Sequence, residues 1–470
     1  MAGEMMNYHK IETKDLEFLA NIVGKDHLFS GDQIEQDYAH DELQTIKHMP
    51  EVHVKVKDKY EVSKIMTYAY EQTIPVTVRG SGTGLVGACV PILGGILLDV
   101  SGMNQIIELD KTNLTLRVEP GVLLMDIYEH VEKENLFYAP DPGEKSATIG
   151  GNISTNAGGM RAIKYGVTRD WVRGLEVVLP NGEIVKFGGK VVKNSTGYGL
   201  KDLIIGSEGT LGIIVEATLK LIPKPKKTVS LLVPFASRED AIAAAPQLIM
   251  DHVLPTALEF LEKQSLQYSE EFLGKKIPHN NYEAYLLISY DGNNEKAIDE
   301  DIEVASALCI DKYHALDVFL VDTEERRKSV WTVRGGFLEA IKASTSEIDE
   351  CDVVLPRSNI ANFLNYVREI SNQLEIRIPY FGHVGDGNLH IYFCKDGLDD
   401  ATWHEKLDVG FHALYEKAFS YGGLVSGEHG IGYAKREYMK KQLGETQLTI
   451  MRGIKASFDP KHILNPGKVI

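Results

Sequence analysis

Fifteen residues, Ser146-Ala-Thr-Ile-Gly-Gly-Asn-Ile-Ser-Thr-Asn-Ala-Gly-Gly-Met160, constrain this chain more than any other stretch. They carry four glycines, two asparagines and several small hydroxyl residues, with hardly a bulky side chain. Each glycine costs a helix or a strand about 1 kcal/mol of ordering entropy. Such a segment is expected to follow an irregular path whose backbone N–H groups approach something large, flat or phosphorylated. One glycine-rich segment alone would read as a surface loop. Two more, Arg79-Gly-Ser-Gly-Thr-Gly-Leu-Val-Gly87 and Ser207-Glu-Gly-Thr-Leu-Gly-Ile213, make that account a poor one.

With 470 residues the chain exceeds one ordinary core, so two or three domains are expected. The net charge of −17 argues against nucleic acid and anionic membrane surfaces as partners. No apolar run is long enough to span a bilayer, and Met1-Ala-Gly-Glu-Met-Met-Asn-Tyr-His-Lys10 lacks the apolar centre of a signal peptide. Cys89, Cys309, Cys351 and Cys394 have no CxxC spacing and fit a reducing, cytoplasmic setting.

Along the chain, alternating and helical periodicities predict a strand–helix–strand unit: Val52–Val56, Glu61–Tyr70 and Pro75–Arg79. That unit delivers the chain to the first glycine loop. Strands are predicted at 95–100, 106–109, 114–119, 172–179, 184–187 and 213–222. Pro180-Asn-Gly-Glu183 is the hairpin turn between the fourth and fifth of these. Pro223-Lys-Pro-Lys-Lys227 reads as a domain boundary. Beyond it glycines thin out and strands alternate with helices, the texture of an α+β domain with an antiparallel sheet. The last forty-odd residues turn glycine-rich again, which suggests a return to the first domain.

The sharpest chemical signal is Phe381-Gly-His-Val-Gly-Asp-Gly-Asn-Leu-His-Ile-Tyr-Phe393. Seven residues apart on one unbroken strand, His383 and His390 would face opposite sides. Gly385 and Gly387 argue against a helix, whereas a turn at Asp386-Gly387 folds strand onto strand and lets the imidazoles meet. Converging histidines suggest a divalent metal (Zn²⁺, Fe²⁺ or Mn²⁺) that needs a third ligand. Glu428-His429, set between glycines, is the obvious donor, one of the pair binding metal and the other left as acid or base. The alternative is two independent turns with satisfied surface histidines. Arg334, on a helix weakened by Gly335 and Gly336, is a candidate carboxylate clamp, or else a solvated arginine. Neither a G-x-G-x-x-G dinucleotide fingerprint nor a G-x-x-x-x-G-K-[ST] phosphate loop is present.

Taken in order, the first glycine loop, Pro142–Asn152, Asn156–Gly159, Gly206–Ile214, the two histidine blocks and Asn465-Pro-Gly467 resemble the FAD-dependent D-lactate dehydrogenase / glycolate oxidase D-subunit family, within the vanillyl-alcohol-oxidase-like superfamily. The resemblance runs from about Pro50 to the end. It implies an α+β fold: a PCMH-type FAD-binding domain of two subdomains, and an α+β cap domain with an antiparallel sheet. The expected division is an N-terminal helical segment, 1–45; the FAD-binding domain, 46–224; the cap, 225–425; and a segment returning to the FAD site, 426–470.

The same resemblance implies that Arg79, Gly80, Ser81, Gly82, Thr83, Gly84 and Leu85 cradle the FAD pyrophosphate. Pro142, Ser146, Thr148, Gly150, Gly151 and Asn152 would line the rest of the cofactor. So would Ala157, Gly158 and Gly159, together with Glu208, Gly209, Gly212, Ile213 and Asn465. Covalently flavinylated relatives carry a histidine in the first loop; here Gly80-Ser-Gly82 stands there, so non-covalent FAD is expected. His383, His390 and Glu428 are implied as ligands of one divalent metal, His429 as general base and Arg334 as substrate clamp. The implied reaction oxidises a (R)-2-hydroxy acid such as D-lactate to its 2-oxo acid, with hydride transfer to flavin N5.

Relatives acting on dicarboxylates tend to place a lysine near Glu347–Asp352. That stretch is acidic here, which favours a small monocarboxylate. Glycolate and longer 2-hydroxy acids are the alternatives. With no cluster-binding cysteines, haem motif or nicotinamide fingerprint, electrons must leave FAD to a partner. An electron-transfer flavoprotein is expected, with a quinone as the alternative acceptor. A pure FAD electron carrier would need neither Glu428-His429 nor the paired histidines.

Overall fold

The computed structural model describes residues 7–251 and 253–470. The chain divides into two compact units. The first comprises the chain up to Ala157, Val167–Pro223 and His429–Ile470; the second comprises Gly158–Gly166 and Lys224–Glu428. Glu428 and His429, neighbours in sequence, therefore end one unit and reopen the other.

Two larger sheets and a two-stranded ribbon, Leu136–Phe137 with Ile222–Pro223, build the first unit. In one, Val52–Lys55 and Val76–Arg79 both pair in parallel with Ile96–Asp99, and Leu28–Ser30 adds an antiparallel edge. The helix Lys59–Gln72 makes the crossover; Asp58 starts it by accepting from the N–H groups of Tyr60 and Glu61, a cap that contributes about 1 kcal/mol. Its apolar face (Val62, Ile65, Met66 and Ala69) is fully buried against Val52, Val54, Ile96 and Leu98. Ile463 and Leu464, from the far end of the chain, complete that core. The second sheet is wholly antiparallel, ordered Ile106–Asp110, Thr115–Val118, Ile213–Lys220, Val172–Val178, Ile184–Gly188.

One local expectation fails here. The central glycine stretch contains a helix, Ile149–Thr155, running straight through Gly150 and Gly151. Thr148 caps it onto Gly151 N–H, and Asn156 ends it in the left-handed region. A Cβ at Gly150 would lie 2.7 Å from the Cβ of Pro120. Close packing therefore decides this position, and it overrides the helix propensity that glycine lowers.

The second unit is one seven-stranded antiparallel sheet. Its order is Phe319–Val321, Lys227–Phe235, Ala284–Gly292, Ala257–Glu262, Tyr380–His383, Asn388–Cys394, Ile348–Val354. Gly158–Gly166 folds with this unit because its side chains anchor there. Lys164 and Tyr165 both donate to Asp291, at 2.5 and 2.9 Å, and Ile163 reaches Gly385. Among the described residues, no helix is long and apolar enough to cross a membrane.

Candidate active site

Tyr380–His383 and Asn388–Cys394 form the hairpin that the glycines around Asp386 predict. The N–H groups of Asp386 and Gly387 both donate to the carbonyl of His383. Gly387 sits at φ +93°, and a Cβ there would lie 2.1 Å from the carbonyl oxygen of Leu355, so only glycine closes this turn. The register sets His383 opposite Asn388 and Phe381 opposite His390, which turns both imidazoles to one face of the sheet. Their Nε2 atoms come within 3.4 Å of each other. Glu428 completes a trio, with Oε1 3.4 Å from His383 Nε2 and Oε2 3.9 Å from His390 Nε2. One ligand atom from each residue falls within 4.8 Å of the other two, the arrangement of a three-ligand cation site.

Behind each member of the trio stands a buried carboxylate that sequence reasoning missed. Glu259 Oε1 lies 2.7 Å from His383 Nδ1, and Glu350 Oε1 lies 3.1 Å from His390 Nδ1. Both histidines are thereby oriented with Nε2 toward the shared centre. Asp352 accepts from the Ser426 hydroxyl and from the N–H groups of Gly427 and Glu428, which fixes the Glu428 backbone. Gly158 lets that carboxylate approach, since a Cβ there would lie 2.8 Å from Glu428 Oε1. The signal was legible in principle: Ala257-Leu-Glu-Phe-Leu261 is an apolar strand with one acid inside it, and Glu259 is fully buried.

The electrostatics of this pocket favour positive charge. Burial opposes protonation of His383, yet Glu259 and Glu428 outweigh it and raise its pKa well above the ordinary histidine value. Burial likewise works to raise Glu259, but His383 and Arg334 hold its carboxyl below the ordinary range. Arg334 is buried, not solvated. Its Nε and Nη2 donate to Glu259 Oε2 at 2.9 and 2.6 Å, and its guanidinium lies 4.6 Å from the Phe381 ring centroid. Two N–H groups on Nη1 remain for a ligand.

In the first unit, a Cβ on Gly80 would lie 2.2 Å from Thr148 Oγ1, so the first glycine loop rests against the central stretch. No N–H from Gly80 through Ser81, Gly82, Thr83 and Gly84 to Leu85 donates to a protein acceptor among the described residues. Asn152 Nδ2 is buried without a protein acceptor among them. Pro142 accepts from Lys145, Ser146 donates to Glu144, Ala157 accepts from Thr168, and Gly151 is exposed. Gly158 and Gly159 belong to the other unit.

Three of the polar residues expected to meet the cofactor spend their side chains on protein. Arg79 donates to the carbonyls of Asp37 and His40. Glu208 accepts from Ile431 and Gly432 N–H, both at 2.8 Å, and so pins the segment just after His429. Asn465 Nδ2 donates to the carbonyls of Ala88 and Glu208. Gly209 lies beside Asn465, and Gly212 and Ile213 lead into the strand that packs on Val177.

Lys468 reinforces this tie. Its ammonium, pushed by burial down to about 8, donates to the carbonyls of Ala88 and Val90 and to Asn465 Oδ1. The segment just after the first glycine loop is thus held by the final residues of the chain. Lys468→Met should weaken FAD retention about tenfold, the scale of one to two lost hydrogen bonds to buried acceptors. Flavin fluorescence on dilution measures it; unchanged retention would remove Lys468 from any supporting role.

The chain matches the FAD linked oxidase C-terminal domain over residues 224–469 and an FAD binding domain over 50–188. It is 47% identical to the D-lactate dehydrogenase of Anaerostipes hadrus over 98% of both chains. It is 39% identical to the glycolate oxidase subunit GlcD of Bacillus subtilis (strain 168) over 97% of both. A D-2-hydroxyglutarate dehydrogenase of Stutzerimonas stutzeri (strain A1501) is 31% identical over 89% of this chain and 91% of its own. Among solved structures, p-cresol methylhydroxylase with substrate bound superimposes with a TM-score of 0.79 at 17% identity, covering 97% of this chain and 96% of that one. At that identity the likeness speaks for the fold, which is the PCMH-type FAD-binding fold. With both parts of the chain matched and relatives aligned along nearly its whole length, the chain belongs to the FAD-linked D-lactate dehydrogenase and glycolate oxidase D-subunit family of oxidoreductases.

Proposed function

We propose that this protein oxidises D-lactate to pyruvate with non-covalently bound FAD and one divalent metal ion. The convergence of His383, His390 and Glu428 beside a carboxylate-held Arg334 carries the reading. The residues fit both groups. Six successive open N–H donors and the buried Asn152 amide suit an anionic dinucleotide, and two imidazoles with a carboxylate in an acid-rich pocket suit Zn²⁺, Fe²⁺ or Mn²⁺. In this reading residues 46–224 hold FAD, 225–425 form the cap and 426–470 return to the FAD site.

When bound, FAD supplies a hydride acceptor and the metal a Lewis acid for the substrate hydroxyl. The chain's own residues do the rest. Arg334 Nη1 takes the substrate carboxylate and fixes its orientation, because Glu259 already holds the other edge of the guanidinium. An imidazole nitrogen of His429, one residue beyond Glu428, takes the hydroxyl proton. The stretch Glu347–Asp352 offers no lysine for a second substrate carboxylate, which supports lactate over a dicarboxylate. Electrons then pass to an electron-transfer flavoprotein.

Anaerobic titration of the yellow protein with each lactate enantiomer tests this directly. D-lactate alone should bleach the flavin band, and chelation should abolish the bleaching. If glycolate or D-2-hydroxyglutarate bleaches the flavin while D-lactate does not, the substrate assignment is wrong. A protein that never takes up FAD would overturn the whole reading.

A further inference from the structure

Glu259 stands at an unusual junction. The register places Phe260 opposite Gly382, so one step along Glu259 lies across from His383 on the neighbouring strand. Its side chain has no solvent exposure, and its two oxygens serve different masters. Oε1 takes His383 Nδ1 at 2.7 Å, while Oε2 takes Nε and Nη2 of Arg334 at 2.9 and 2.6 Å. By contrast, Glu350 meets His390, and Asp352 holds the backbone of Glu428.

We infer that Glu259 is a positioning residue that couples the two halves of substrate recognition, setting metal affinity through His383 and carboxylate binding through Arg334. This rests on the metal site proposed above. The physical argument is one of shared geometry. A histidine ligand needs its distal nitrogen held by an acceptor if the lone pair of Nε2 is to face a cation. An arginine clamp needs its plane fixed if it is to lose little entropy on binding. A single rigid carboxylate does both, so the distance between cation and clamp is set by one side chain on a central strand.

Glu259→Gln keeps the shape and removes the charge. In the FAD-loaded protein, metal affinity, read by chelator competition, should fall about 10–100-fold. The KM for D-lactate at saturating metal should rise about tenfold, the scale of a lost charge-assisted contact. Arg334→Met should raise KM and leave metal affinity unchanged; a residue that only packs the sheet would move neither in this pattern. Glu259→Asp, with the charge restored on a shorter arm, should recover part of both losses.

Should either variant fail to fold, wild-type protein carrying isotope-labelled histidine answers by NMR. In the metal-loaded protein His383 should carry its proton on Nδ1, facing Glu259, and a bare Nδ1 there would overturn the proposal. So would Glu259→Gln retaining wild-type metal affinity. A wild-type protein that binds no divalent metal at all would instead sink the metal site itself, a distinguishable failure.

Discussion

His429→Ala should leave FAD and metal bound and slow flavin reduction by D-lactate about 10²–10⁴-fold, the usual worth of a positioned general base. The two bound groups survive because the histidine supports neither in the proposed assignment. The cation ligands lie on the hairpin and at Glu428, whose backbone Asp352 anchors. The segment immediately beyond His429 is held independently, through Ile431 and Gly432 on Glu208. Removing the imidazole therefore deletes a proton acceptor and leaves both anchors in place.

The loss converts to about 3–5 kcal/mol of barrier and should appear in the rate of reduction, with little change in substrate affinity. Chemical rescue separates chemistry from packing. Added imidazole should restore part of the variant's rate of reduction, because the missing group is a proton acceptor. Wild-type rates in the variant, under rapid anaerobic mixing, would take His429 out of the mechanism.

What the sequence disclosed follows from how locally each feature is encoded. The hairpin joining His383 to His390 was readable because Gly385, Asp386 and Gly387 both forbid a helix and demand a turn, and seven residues then suffice to align two imidazoles. The first strand–helix–strand unit was readable from period alone. Glu259 was legible only as an acid inside an apolar strand, and its role was not, because its partner His383 lies 124 residues away in sequence. Nothing near Glu259 announces a histidine. The helix through Gly150 and Gly151 was hidden for the opposite reason. Local propensity speaks against it, and the deciding contact with Pro120 is tertiary. The roles of Arg79, Glu208 and Asn465 blurred similarly: residues beside a ligand loop read alike whether they touch the ligand or brace the loop.

His383→Ala should purify yellow, free of stoichiometric metal, and reduced by D-lactate at a rate at least about 10³-fold below wild type. The yellow colour follows because the glycine loops and Asn152 contain none of the trio. Metal loss follows from ligand count. Two side-chain ligands remain where three converged, and Glu259 is left without the imidazole that its Oε1 engages, beside Arg334 alone. A Lewis acid contributes several kcal/mol to alkoxide formation, which sets the thousandfold floor. The decisive comparison is with His383→Ala/His390→Ala. If both histidines act through one cation, the second substitution has nothing further to remove, and the double variant should be no slower than the single. If the losses multiply, the histidines act separately. Elemental analysis adds an independent check, since stoichiometric metal in His383→Ala would place the ion elsewhere in the protein.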